Sequence, residues 1–146
     1  SERITHTVAL GGGRHFVAVA HSFGCLALAD HLARERHSPI VAALLVAPAD
    51  PDRFGLGGRL PLQRLAPSTT MVVSDTDPWM KPAQARRWAQ RWGSHVVNLG
   101  DAGHINVESG HGPLPLASRW VQAVLQRVAR EQRPDQAELA EWSFAW

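Results

Sequence analysis

Apolar positions along this chain fall into two alternating kinds of stretch. Residues 15–21 (HFVAVAH), 40–47 (IVAALLVA), 69–74 (TTMVVS) and 95–99 (HVVNL) are short, rich in β-branched side chains and nearly unbroken by polar ones. Runs of that kind suit strands covered on both faces, as in a parallel sheet. Residues 23–36, 81–92 and 114–131 instead carry apolar side chains three or four apart, with Pro82 and Pro115 where a first helical turn tolerates proline. The alternation predicts an α/β fold, a three-layer sandwich built of right-handed βαβ units on a mainly parallel sheet, with ligands at the carboxyl ends of the strands. Residues 48–67 (PADPDRFGLGGRLPLQRLAP) are dense in proline and glycine and too long for a tight connection, so they are expected to form a functional loop or lid over that end.

The join between the first predicted strand and the first predicted helix reads Ala20-His21-Ser22-Phe23-Gly24. A sharp strand-to-helix turn flanked by small residues pushes a serine into a strained conformation and exposes its hydroxyl, which is the design of a nucleophile elbow, here with alanine in the first small position. Such a turn also aims the Phe23 amide and the positive end of the helix at the place where a tetrahedral oxyanion would form. A serine that merely caps a helix is the competing reading. Residues further along the chain weigh against it.

A serine nucleophile needs a base and an orienting carboxylate, which in this kind of fold come in the order Ser, Asp, His on loops after strands. Asp75-Thr76-Asp77-Pro78-Trp79 succeeds the run 69–74, and Gly100-Asp101-Ala102-Gly103-His104 succeeds the run 95–99. Glycines around His104 allow its loop to fold back over the elbow. His6, His15, His31, His37 and His95 fall in the amino-terminal segment, inside predicted strands or near helix ends, where packed or solvated roles are expected. His21 adjoins the serine, with its side chain expected to point away from it. Position alone leaves Asp75, Asp77 and Asp101 open as the carboxylate.

Composition narrows the classes. With 146 residues the chain is expected to hold one domain over 15–131, between a remnant or flexible segment, 1–14, and a tail, 132–146. A net charge of +2 with dispersed arginines offers no basic stripe for a nucleic acid or an anionic membrane surface. No apolar run approaches the roughly 20 residues that span a bilayer, and no charged start followed by an apolar stretch resembles a signal peptide. The single cysteine, Cys25, excludes an internal disulfide and agrees with a reducing, cytoplasmic compartment. No cofactor is implied. Asp101, His104, Glu108 and His111 can be drawn as a metal site, but no pair has helical ligand spacing, so no metal is expected. Gly11-Gly12-Gly13 has no strand before it to make a phosphate cradle and reads as the turn before residue 15.

AHSFG (20–24), LLVAPAD (44–50), SDTDPW (74–79) and AGHINVESGHGPL (102–114) occur in that order at suitable intervals. Together they resemble the small α/β-hydrolase-like serine hydrolases related to retinoblastoma-binding protein 9, particularly their bacterial members, from about residue 15 to about residue 130. The resemblance implies Ser22 as nucleophile, His104 as base and Asp77, which precedes a proline, as the acid. It also implies small ester or activated amide substrates. Thr76 stands where the family usually has the first of two consecutive acidic residues, and Leu114 where an aromatic is frequent. Phe54, Leu56 and Trp79 are the candidate pocket residues, with Leu60 and Leu62 adding to an apolar loop.

Family members carry a strand, a glycine-containing loop, a helix and a further strand ahead of the elbow strand, whereas only SERITHTVALGGGR precedes it here. A truncated α/β-hydrolase fold is therefore expected, lacking the second oxyanion amide, and a non-catalytic interaction or remnant domain is the alternative function. Residues 15–21 would then lie at an apolar sheet edge that soluble proteins rarely leave open. Residues 1–13 folding back, the aromatic tail with Trp142, Phe144 and Trp146, or a second copy of the chain could cover it. A homodimer is the expected outcome.

Overall fold

The computed structural model describes residues 5–10, 15–105 and 114–131. β1 (Thr5–Leu10), β2 (His15–His21), β3 (Ile40–Val46), β4 (Ser68–Val73) and β5 (His95–Asn98) form one sheet whose spatial order follows the sequence. β2 to β5 are parallel, and β1 runs antiparallel along β2. α1 (Phe23–Arg34) joins β2 to β3, α2 (Pro82–Trp92) joins β4 to β5, and α3 (Leu114–Glu131) comes after β5. The expected α/β architecture is present, with strand and helix ends within about two residues of those read from the sequence.

Alternation along the strands sorts the core into two layers. Val17, Val19, Leu44, Val46 and Val72 face α3 and pack with Ala117, Val121 and Val124. Their neighbours Ala18, Ala20, Ala43, Leu45, Met71 and Val73 face the other way, onto α1 and α2. That second face is alanine-rich beneath α1, which meets it with Cys25 and Ala29, so the helix lies close to the strand that feeds it. No described helix is long and apolar enough to cross a membrane.

The apolar edge of β2 is covered by the chain itself. Thr5 pairs with Ala20 and Leu10 with His15, so β1 occupies the place beside the elbow strand. The open edge that would call for a dimer is thus filled by part of residues 1–13. Leu10 and His15 pair at the end of β2 remote from Ser22, and Gly11, Gly12 and Gly13 lie outside the described residues. The tail 132–146, with its aromatics, lies outside the described residues.

The segment from β3 to β4 is a packed cover rather than a loose lid. Phe54, Leu56 and Leu60 pack against the α1/α2 side of the core, Leu65 is buried in it, and a short 3-10 turn spans Gly57–Arg59. Its far end is fastened to α2. Trp92 Nε1 donates to the Pro61 carbonyl at 2.9 Å, and the Leu65 amide donates to the Trp92 carbonyl at 3.0 Å. α2 stops one residue later because Gly93 turns left-handed at φ 73°, where a Cβ would come within 2.8 Å of the Arg64 side chain. Trp92 therefore joins helix, cover and core, its ring 5.3 Å from that of Trp88. Trp92→Ala should lower unfolding free energy by about 3–5 kcal/mol in urea titration; a loss under about 1 kcal/mol would show that the cover is not fastened through this ring.

Candidate active site

β2 ends inside the sheet and α1 begins at once, so Ser22 alone must turn the chain. It does so at φ 58° and ψ −123°, a region that side-chain-bearing residues rarely adopt. The surrounding backbone holds it there. The Ser22 amide donates to the Val46 carbonyl at 3.0 Å, and its carbonyl accepts the Cys25 amide at 3.1 Å. Beneath the turn, the Cys25 thiol contacts the carbonyls of Ala20 and Val46 at 3.5 Å each, and complete burial pushes its pKa well up. Cys25 is therefore a protonated packing residue.

The structure brings Ser22, His104 and Asp77 together. Ser22 Oγ lies 2.9 Å from His104 Nε2, and His104 Nδ1 lies 3.0 Å from both oxygens of Asp77. With Nδ1–H donating to the carboxylate, Nε2 is left to accept the serine proton. Asp77 also accepts the Trp79 amide at 2.9 Å, and both Ser22 and Asp77 are buried, at 2% and 7% exposure. The other two candidate carboxylates point elsewhere: Asp75 accepts from the Asn98 side chain and Asp101 from the Thr76 hydroxyl. Asp101 and His104 belong to no metal-binding group among the described residues, and Glu108 and His111 lie outside them.

Aromatic rings border His104. Phe23 meets Phe54 edge-on at 4.8 Å, Phe54 lies 5.8 Å from Trp79, and Trp79 meets His104 edge-on at 6.3 Å. Trp79 remains 40% exposed beside His104, while the Arg53 guanidinium lies 5.4 Å from the centre of its ring and donates to the Pro78 carbonyl. Leu56 packs against the core from the same loop, and Leu62 points to solvent. Phe23 opens α1, so its amide has no carbonyl partner one turn back in the helix.

Sequence reasoning missed how His104 is carried. His21 does not simply turn away: its Nε2–H donates to the His104 carbonyl at 3.1 Å, with the two rings 4.9 Å apart. Ser74, buried at the end of β4, donates to the Gly100 carbonyl and accepts the Ala102 amide, both at 3.0 Å, binding the acid turn to the histidine loop. Neither residue lies in a pattern that period or spacing would flag.

Burial lowers the His21 pKa below its ordinary 6.5. Unfolding would return the ring to water, where it takes up a proton below about pH 6.5, so this group stabilises the fold less as pH falls through that range. Replacing it with an uncharged side chain removes the linkage. The loss of unfolding free energy between pH 7.5 and 5 should be shallower in His21→Gln than in the native chain; equal slopes would mean that His21 charges as readily in the folded state.

A family model described as serine hydrolase matches residues 7–123. A crystal structure of a protein described as a YdeN-like hydrolase, from Pectobacterium atrosepticum, is 41% identical and superposes with a TM-score of 0.61 over 65% of this chain. The match covers 51% of that structure, so this chain spans about half its length. No curated protein matches. The family match runs from β1 into α3 and takes in Ser22, Asp77 and His104: this chain belongs to the serine hydrolase family.

Proposed function

We propose that this protein hydrolyses small carboxylic esters or activated amides through an acyl-enzyme on Ser22, as a relative of the retinoblastoma-binding protein 9 group. One observation carries the reading: at a backbone-strained strand-to-helix turn, the Ser22 hydroxyl is 2.9 Å from His104 Nε2, and the other nitrogen of that ring is 3.0 Å from Asp77. Membership of the serine hydrolase family supports it.

In this mechanism His104 takes the hydroxyl proton as Ser22 Oγ attacks the substrate carbonyl carbon. The oxyanion that forms is met by the Phe23 amide at the positive end of α1, the one oxyanion donor assigned. His104 then passes its proton to the departing alcohol or amine. Water, activated by the same ring, releases the acid and restores Ser22. Asp77 keeps the proton on Nδ1 and stabilises the imidazolium while it exists. Phe54, Trp79 and Leu56 give the pocket an apolar, flat-walled border, which favours apolar acyl or alcohol groups.

Hydrolysis of a p-nitrophenyl ester tests these roles. Ser22→Ala should fall to the background rate. Asp77→Asn should lose about 10³–10⁴-fold in kcat because the imidazole then takes the wrong tautomer, while Asp75→Asn and Asp101→Asn stay within about tenfold. A large loss at Asp75 or Asp101 instead would move the acid, and a folded chain with no Ser22-dependent turnover would favour a non-catalytic role. Because His104 must be neutral to accept the proton, turnover should decline on acidification; a rate that rises toward acid pH would contradict a histidine base.

A further inference from the structure

The turn that carries His104 is left-handed on both sides, at a glycine that adopts such a conformation freely and at a residue that does not. Gly103 has φ 57°, and Ile105, a β-branched residue, has φ 52°. For a β-branched side chain the left-handed region is a steric outlier, and it persists only where the surroundings impose it. Ile105 is 1% exposed and packed on the α3 side of the core, and its amide donates to the Ala102 carbonyl at 3.1 Å. Core packing explains why the chain accepts the strain after His104. It does not by itself set where the imidazole points.

Two further bonds hold the backbone beside it, one from the turn that carries Asp77 and one from the last residue of β2. The Gly103 amide, just before the base, donates to Thr76 Oγ1 at 2.9 Å, and that hydroxyl donates onward to Asp101 Oδ1 at 2.8 Å. Thr76 is the residue just before the acid, Asp77. On the other side, the His104 carbonyl accepts the His21 Nε2–H at 3.1 Å, and His21 is the residue just before the nucleophile. The backbone around His104 is therefore held at the Gly103 amide and at its own carbonyl, by the immediate neighbours of the two side chains it must bridge.

Resting on the reading of Ser22 as nucleophile, we propose that Thr76 and His21 are positioning residues, which hold the backbone before and after the His104 side chain, at the Gly103 amide and at the His104 carbonyl, so that its ring spans Ser22 and Asp77. A threonine suits the first role because one hydroxyl both accepts the Gly103 amide and donates to Asp101. A carboxylate at that position could accept the amide but would face Asp101 as a like charge. A neutral imidazole suits the second role, since a charge on His21 would oppose the imidazolium that His104 becomes in the transition state, with the rings 4.9 Å apart.

The test compares near-isosteric pairs. Thr76→Val keeps the shape and removes the hydroxyl, Thr76→Ser restores it, His21→Leu removes the donor, and His21→Gln restores one. Ester kinetics should show Thr76→Val losing about 3- to 10-fold and His21→Leu about 10- to 100-fold, in kcat rather than KM, since the net worth of a bond is larger where water is excluded. Thr76→Ser and His21→Gln should recover part of each loss. The downfield proton resonance of the His104–Asp77 bond, read by NMR on the same folded proteins, gives a measure independent of turnover: it should weaken in Thr76→Val and His21→Leu and return in the restoring variants. Unchanged kcat and an unchanged resonance in both deletion variants, or equal losses in deleting and restoring variants, would overturn the clamp. A resonance that tracks the substitutions in a protein that turns over no ester would leave the clamp standing and count against the hydrolase reading alone.

Discussion

The site depends on a single strained residue, Ser22, held at φ 58° between the last residue of β2 and the first of α1. A conformation of this kind costs on the order of 1–3 kcal/mol and survives only where its surroundings over-determine it. Here they do so from three sides. β1 and β3 flank the strand that delivers Ser22, the Val46 carbonyl takes its amide, and the Cys25 amide closes on its carbonyl. The alanines under α1 are the packing counterpart, because a helix can start immediately after the strand only if it can also lie close to it. Fold and site are thus coupled at one position. The turn that ends the strand also presents the hydroxyl and aims the first helix amides.

His104 and Asp77 reach Ser22 by a different principle. Each sits on a loop after a parallel strand, so the sheet brings β2, β3, β4 and β5 to a common end and leaves the loops to settle side-chain direction. Polar bonds between loops settle it. Ser74 ties the acid turn to Gly100 and Ala102, and Asn98 reaches Asp75 while its own carbonyl oxygen caps the Gly100 amide. The Asp50 amide, in the cover, donates to the Trp79 carbonyl at 3.0 Å, fixing the aromatic border against the acid turn. Water is kept from Asp77 and from the serine, where a charge-assisted bond is stronger than in solvent.

Much of this is legible in the chain, and the reasons differ from element to element. The runs FVAVA and IVAALLV announce buried parallel strands because both faces are covered, so no polar alternation interrupts them. The elbow is legible because its sterics demand small residues at 20 and 24. Asp77 is not separable from Asp75 and Asp101 by position alone, since all three come after strand ends; direction is set by bonds such as Asn98 to Asp75 that have no spacing rule. β1 stands in the sequence as one of several covers for the sheet edge, behind a dimer, because THTVAL is too short for its alternation to outweigh the alternatives. His21 and Thr76 stand out in the sequence only as neighbours of Ser22 and Asp77, with no signal of the bonds they make. Their contacts join residues far apart in sequence through the carbonyl of His104 and the amide of Gly103, and any residue type but proline has both groups.

The central claim is that Ser22 is an activated nucleophile whose reactivity is supplied by His104. Incubation of the folded chain with a fluorophosphonate, then intact-protein and peptide mass spectrometry, measures this directly. A single adduct mapped to Ser22 is expected, formed far more slowly in a folded His104→Ala chain and absent in Ser22→Ala. No adduct on the folded native chain, or an adduct at Ser22 that forms as fast without His104, would contradict it.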